Sequence, residues 1–213
     1  ANSITLTWRK ATGAPTGYLV VRSPASLMDD PPIDGQTYNP NTYITDAGYV
    51  VGATTDTTIT TSGLSPATLY YFSIFSYNGT GGATNYKITS PLTGNKKTVS
   101  SDPTALITSL SFSNVTKDSM RITYSVTGSA VGYIALRKAG SLPSFVLIDS
   151  ATYNQNQVLS DGSTVAYVGS ALTFGNTSLA PSTKYYFRIY AYNGSGNTTN
   201  YSSSSLKDTS KST

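Results

Sequence analysis

The sequence predicts an all-β chain of two tandem antiparallel β-sandwiches, and three observations carry that expectation. The segment LSPATLYYFSIFSYNG at 64–79 returns as LAPSTKYYFRIYAYNG at 179–194, which is 115 residues further on. The same offset relates Gly17-Tyr18 to Gly132-Tyr133, Thr37-Tyr38-Asn39 to Thr152-Tyr153-Asn154, and Asn85-Tyr86 to Asn200-Tyr201. One structural unit is therefore present twice. Apolar and polar residues alternate at Ile4–Trp8 and at Met120–Tyr124, the period-two pattern of half-buried strands. No stretch of helical length shows a 3.6-residue periodicity with caps.

In chain order, Ile4–Trp8 reads as the opening strand, 17–22 as a second and 70–78 as a long third, each bounded by Gly, Pro, Asn or Asp. Their copies fall at 120–124, 132–137 and 185–193. Leu106–Val115 reads as a strand and turn ahead of the second copy and has no equivalent ahead of the first. The expected domains are 1–99 and 105–213, joined by a linker at 100–104 whose Pro103 limits its freedom. Two sandwiches so joined are expected to form a semi-rigid rod.

Composition excludes several function classes. The chain has no Cys, no His and no Glu, so all ten acids are Asp. Without His or Cys there is no Ser-His-Asp or Cys-His arrangement and no usual zinc or iron ligand set. An Asp-only glycosidase would need two facing carboxylates. Asp34-Gly35, Asp46-Ala47-Gly48, Asp118-Ser119 and Asp161-Gly162 instead have the look of turns, which Asp favours by bonding its own backbone. Asp29-Asp30 with Asp34 is the one acidic cluster, and it reads as a Pro-flanked turn rather than a calcium site. We expect no enzyme, no cofactor and no bound metal.

Net charge is +4, yet no run of Lys or Arg exceeds two residues, too thin for a nucleic-acid or lipid patch. No apolar stretch approaches the roughly 20 residues of a membrane span. Charged residues make up 11% of the chain, so solubility rests on Ser, Thr and Asn. Ala1-Asn2 leads straight into a strand with no signal-peptide pattern, as in a mature product or a cut piece.

The repeated Leu-x-Pro-x-Thr-x-Tyr, followed by alternating apolar residues and Asn-Gly, comprises Leu64, Pro66, Thr68 and Tyr70, then Leu179, Pro181, Thr183 and Tyr185. It resembles the E–F corner and F strand of a fibronectin type III domain. The resemblance implies that Tyr70 and Tyr185 are tyrosine-corner residues whose hydroxyls bond the backbone just upstream. It also implies that Trp8 is the strand-B core residue, with Tyr124 in its place in the second copy, and that Tyr18 and Tyr133 are strand-C core residues. The first copy then lacks strand A. Truncation explains this, and so does an open edge that accepts a strand from another chain.

Each copy is also longer than such a domain requires, the excess falling between strands C and E at roughly 24–57 and 139–172. By alternation, Tyr70, Phe72, Ile74 and Ser76 point inward. The outward set is Tyr71, Ser73, Phe75 and Tyr77, with Leu19 and Val21. In the second copy it is Tyr186, Arg188, Tyr190 and Tyr192, with Ile134 and Leu136. The face that should meet water is apolar in both copies, contrary to the usual one-sided sheet.

Two readings follow. The insertion folds back as a strand or flap, with Tyr38, Tyr43, Tyr49, Phe145, Tyr153 and Tyr167 as packing partners. Otherwise Tyr71, Tyr77, Tyr186 and Tyr192 form an aromatic platform for sugar rings, helped by the Asn-Gly loops at 78–85 and 193–200.

The expected function is a non-catalytic extracellular spacer and adhesion module of a larger surface or secreted protein. The resemblance is to the Tyr- and Thr-rich bacterial modules that accompany adhesins and polysaccharide-degrading enzymes. Its partners would be other domains of the same parent, or a surface protein or polysaccharide. The alternatives are a carbohydrate-binding module using the outward Tyr and a strand-exchanging assembly subunit.

Overall fold

The computed structural model describes residues 2–24, 31–44, 48–203 and 207–213. The chain divides into two compact units, Ala1–Thr98 and Val99–Thr213. In the first, β1 (Ile4–Thr7) pairs antiparallel with β4 (Thr58–Thr61) as a two-stranded sheet. The second sheet has the order β3 (Tyr49–Thr54), β2 (Gly17–Ser23), β5 (Leu69–Asn78), β6 (Asn85–Tyr86), and β7 (Leu92–Lys97) also pairs with β5. The last strand is therefore in two pieces, each paired with a different half of β5.

The second unit repeats this plan and adds one strand. Its first sheet has the order β12 (Thr173–Asn176), β9 (Met120–Thr127), β8 (Leu106–Ser113). The other sheet has the order β11 (Thr164–Gly169), β10 (Gly132–Ala139), β13 (Lys184–Asn193), β14 (Asn200–Tyr201), with β15 (Lys207–Ser212) also on β13. No strand among the described residues takes the place of β8 in the first unit.

That difference shows in the inner cores. In the second unit one cluster runs from Ala105 and Ile107 through Tyr124 and Tyr133 to Phe187 and Ile189, with Leu110 and Phe112 of β8 packed on it. In the first unit the inner core is split. Ile4, Leu64, Tyr70 and Phe72 form one cluster and Trp8, Tyr18, Val20 and Ile74 another.

The residues implied by the resemblance sit in these cores. Trp8, Tyr18, Tyr70, Tyr133 and Tyr185 are all buried. Trp8 meets Tyr18 edge-on with centroids 5.5 Å apart, and Tyr124 meets Tyr133 in the same way at 5.3 Å. The hydroxyl of Tyr70 accepts the Ser65 N–H at 2.9 Å and that of Tyr185 accepts the Ala180 N–H at 2.8 Å. Both corners thus close five residues back along the chain.

Residues 100–102, in the expected linker, are bonded within the second unit. Ser100 N–H donates to the Thr198 carbonyl, and the Asn193 side-chain amide donates to the Ser101 carbonyl. The Asn200 amide donates to the Ser100 carbonyl and to Asp102 Oδ1, each at 2.7 Å.

Candidate functional site

In both units the chain itself covers the outer face of the larger sheet, the face that carries the candidate platform residues. Alternation along β2 and β5 puts Leu19, Val21 and Phe75 on that face, where they form a second buried cluster with Val50 and Tyr86, flanked by Tyr38, Ile44 and Tyr77. In the second unit Ile134, Leu136, Tyr153, Leu159, Val165 and Tyr190 do the same, flanked by Phe145, Leu147 and Tyr192. Each fully buried Leu, Val or Phe is worth roughly 1.5–3 kcal/mol, so the cover is a substantial part of each fold.

The cover is the long connection between β2 and β3, or between β10 and β11, so the insertion supplies both a flap and an edge strand. The flap is anchored in the same way twice. Asp34 Oδ1 accepts the Tyr86 N–H at 2.8 Å, and Asp149 Oδ1 accepts the Tyr201 N–H at 2.9 Å. Gly35 N–H donates to the Thr84 carbonyl, and Ser150 N–H to that of Thr199. The Tyr86 hydroxyl donates to the Gln36 carbonyl, and the Tyr201 hydroxyl to that of Ala151. Within the flap, Tyr38 Oη accepts the Ile33 N–H and Tyr153 Oη accepts the Ile148 N–H. These repeat the five-residue geometry of the tyrosine corners.

The second unit has one more clamp. Asp161 accepts the N–H groups of Ser144, Phe145 and Ser163 and the Ser163 hydroxyl. Burial alone would raise its pKa, but these bonds, led by the Ser163 hydroxyl, hold it well below the ordinary carboxylate range. The tyrosines of the cover shift the other way. Burial, then the neighbouring Tyr153, Tyr192 and Asp149, pushes Tyr201 up to about 12. Burial first, then Tyr38, raises Tyr86 as well.

The four candidate platform residues divide into two pairs. Tyr77 and Tyr192 are half-buried at the rim of the covered clusters. Tyr77 packs on Tyr86 at 5.6 Å, and Tyr86 packs on Tyr38 at 5.9 Å. Tyr192 packs on Tyr201 at 5.9 Å, and Tyr201 packs on Tyr153 at 5.6 Å. The rings within each chain are tilted by 58° to 65°. Tyr71 and Tyr186 are half-buried and belong to neither cluster. Lys184 Nζ lies 5.2 Å from the Tyr186 ring centre.

Of the expected packing partners, Tyr38, Phe145 and Tyr153 pack into the covered clusters, whereas Tyr43, Tyr49 and Tyr167 do not. Tyr43 is 67% exposed and meets Tyr49 edge-on. Tyr49 lies under the Arg22 guanidinium at 4.1 Å. Tyr167 faces the inner core, stacked on Phe174 at 4.8 Å. A β-bulge opposite Ala135/Leu136 sets two residues of β11 against one step of β10. Ala166 and Tyr167 therefore both turn inward while Val165 and Val168 stay outside.

In the sequence Asp34 reads as a turn residue, Asp149 stands only as its counterpart, and Tyr86 and Tyr201 serve only to mark the repeat. The signal was present, because all four recur at the 115-residue offset. Asp29-Asp30 lies outside the described residues. Among the described residues no three metal-ligating side chains converge, and no helix is long and apolar enough to cross a membrane.

The comparisons agree with this architecture. The Fibronectin type III domain model matches residues 1–91. No curated protein matches the chain. Among solved structures, the chicken CNTN1 FN1–FN3 domains align with a TM-score of 0.52 and 16% identity, over 100% of this chain and 63% of that one. A two-domain fibronectin type III segment of chicken tenascin aligns with a TM-score of 0.34 and 17% identity, over 100% of this chain and 93% of that one. The central fibronectin III array of RIM-binding protein gives 0.30 and 12%, over 100% and 64%. The chain is thus all-β, with a fibronectin type III-like sandwich in each of two units, and it spans less than two thirds of the CNTN1 chain.

Proposed function

We propose that the chain is a non-catalytic spacer and adhesion module of a larger extracellular protein, exported by a bacterium. Modules of this fold commonly serve as spacers or adhesion units. The observation that supports the reading is that each unit seals its own apolar sheet face with its own flap, latched by Asp34 or Asp149. A face closed in this way suits a module that must remain separate from its neighbours. Adhesion would use what the flap itself presents. Ile33 and Tyr43 are 66% and 67% exposed, and their 115-offset counterparts Ile148 and Val158 are 64% and 70% exposed.

A carbohydrate-binding role is the second reading, favoured by the half-exposed Tyr71 and Tyr186 outside the flaps. Affinity electrophoresis of the intact chain through gels cast with soluble polysaccharides separates the two. Spacer and protein adhesion predict unchanged mobility in every glycan. Retardation by one glycan, abolished in a Tyr71→Ala/Tyr186→Ala variant that still melts cooperatively, would replace this reading with a sugar-binding one.

A further inference from the structure

Arg22 of β2 and Arg137 of β10 are counterparts at the 115-residue offset, but the two units house them differently. In the second unit the Arg137 guanidinium donates to the Asn176 side-chain oxygen, at the end of β12, and to the Thr177 carbonyl. In the first unit Thr61 stands at the position of Asn176. Tyr49 stands at the position of Thr164, the residue across the strand from Arg137. One copy has lost the acceptor and gained an aromatic ring beside the same arginine.

The Arg22 guanidinium lies 4.1 Å from the centre of the Tyr49 ring and 5.4 Å from that of Tyr70. Its Nε is buried with no acceptor, and no described residue accepts a hydrogen bond from the rest of the group. Tyr49 is itself fixed. Its hydroxyl donates to Asn41 Oδ1, and its ring meets the exposed Tyr43 edge-on at 5.3 Å. A guanidinium on aromatic faces keeps its charge and its in-plane donors, and a charge drawn partly out of water without a partner is costly. With Nε sealed, the two Nη groups remain, and a carboxylate can accept from both at once. The arrangement owes nothing to β8, which in the second unit packs against β13 and β15, whereas Arg22 faces Tyr49 of the edge strand β3.

We propose that Arg22 on Tyr49, with Tyr43 beside them, is a docking site for the carboxylate of an Asp or Glu side chain of a partner protein. Charge complementarity selects the carboxylate, and Tyr43, 67% exposed, offers an apolar face to the residue next to it. Among the described residues no second cation lies over Tyr49 or Tyr70, which suits one carboxylate better than a polyanion. The second unit, whose Arg137 is already bonded, has no such site. The inference goes beyond the spacer and adhesion reading and does not depend on it.

The buried Nε–H of Arg22 gives a proton–nitrogen correlation peak, assigned by its loss in Arg22→Lys. A blocked Phe-Glu dipeptide, titrated into the intact chain, should move this peak saturably and leave that of Arg137 in place. A blocked Phe-Gln dipeptide should move neither. Thr61→Asn rebuilds the acceptor that Arg137 has, and should abolish the response. Tyr43→Ala, at an exposed position expected to leave a cooperative melt, should weaken the dipeptide about fivefold and acetate not at all. The proposal is overturned by no saturable shift at about 50 mM dipeptide, or by an equal shift with Phe-Gln. Tighter binding of glucuronate than of Phe-Glu would overturn it too, and would give the site to an acidic sugar.

Discussion

Tyr192 lies directly across Gly132, its cross-strand partner, and a Cβ at that glycine would stand 2.5 Å from the tyrosine oxygen. Tyr77 lies across Gly17 in the same register, with the corresponding distance 2.6 Å. The Gly-Tyr pairs at 17–18 and 132–133 therefore repeat for a steric reason. The glycine leaves room for an outward ring to lie flat over the neighbouring strand, while the following Tyr enters the inner core. Gly132→Ala should displace Tyr192 and destabilise the second unit by about 1–3 kcal/mol, as overpacking does. Denaturant melts of variant and parent check this.

The latches give a matched pair of tests. Asp34→Ala removes the acceptor of the Tyr86 N–H and of the Asn85 amide, and Asp149→Ala removes the acceptor of the Tyr201 N–H. Hydrogen bonds to a charged group are worth about 1.5–3 kcal/mol each, and each variant should lose about that much. Dye binding to apolar surface should rise in both while the cooperative melt persists.

Acid should act through Asp161. Its folded-state pKa is depressed, so the stability it contributes is present above its unfolded pKa of about 3.9 and is lost as pH falls below that value. The parent should melt at steadily lower temperature below about pH 4. Asp161→Asn should be less stable at neutral pH and show a shallower decline in acid. Thermal melts between pH 6 and pH 2 read both.

Base should act through Tyr201. Its folded pKa of about 12 lies above the ordinary tyrosine value of about 10. Its contribution is intact below pH 10 and fades as pH rises from there to 12. Burial raises Tyr86, Tyr124, Tyr133 and Tyr192 as well, so phenolate absorbance should show several late-titrating tyrosines, and Tyr201→Phe should lower that late component by one phenol.

Much of this was legible in the chain because duplication supplied an internal control. Both sandwiches and the double-faced apolar sheet follow from alternation read in duplicate, while both tyrosine corners and the Trp8 and Tyr124 equivalence follow from the family resemblance that the repeated motif carries. Three features escaped it. Tyr167 falls within the insertion and so reads as part of the flap, but it lies on β11, where the bulge opposite Ala135/Leu136 turns it inward beside Ala166. Asp34 resembles a turn former and Asp149 offers no reading of its own, since a carboxylate serving a distant N–H has no local signature. The exposure of Tyr43 was hidden because an aromatic within a folded-back segment can face either side.

The flap also sets an order of assembly. Its anchor points, Tyr86 and Tyr201, come later in the chain than β5 and β13, the long strands whose outer faces it covers. On the ribosome, the connection after β2 must wait, undocked, until Tyr86 has been made. Through that interval Leu19, Val21 and Phe75 have no cover, which is the kind of surface that invites association between nascent chains. Trimming only the connection between β2 and β3 to the length of an ordinary loop would make that passing exposure permanent. A shortened module would then be expected to keep its strands and lose its solubility.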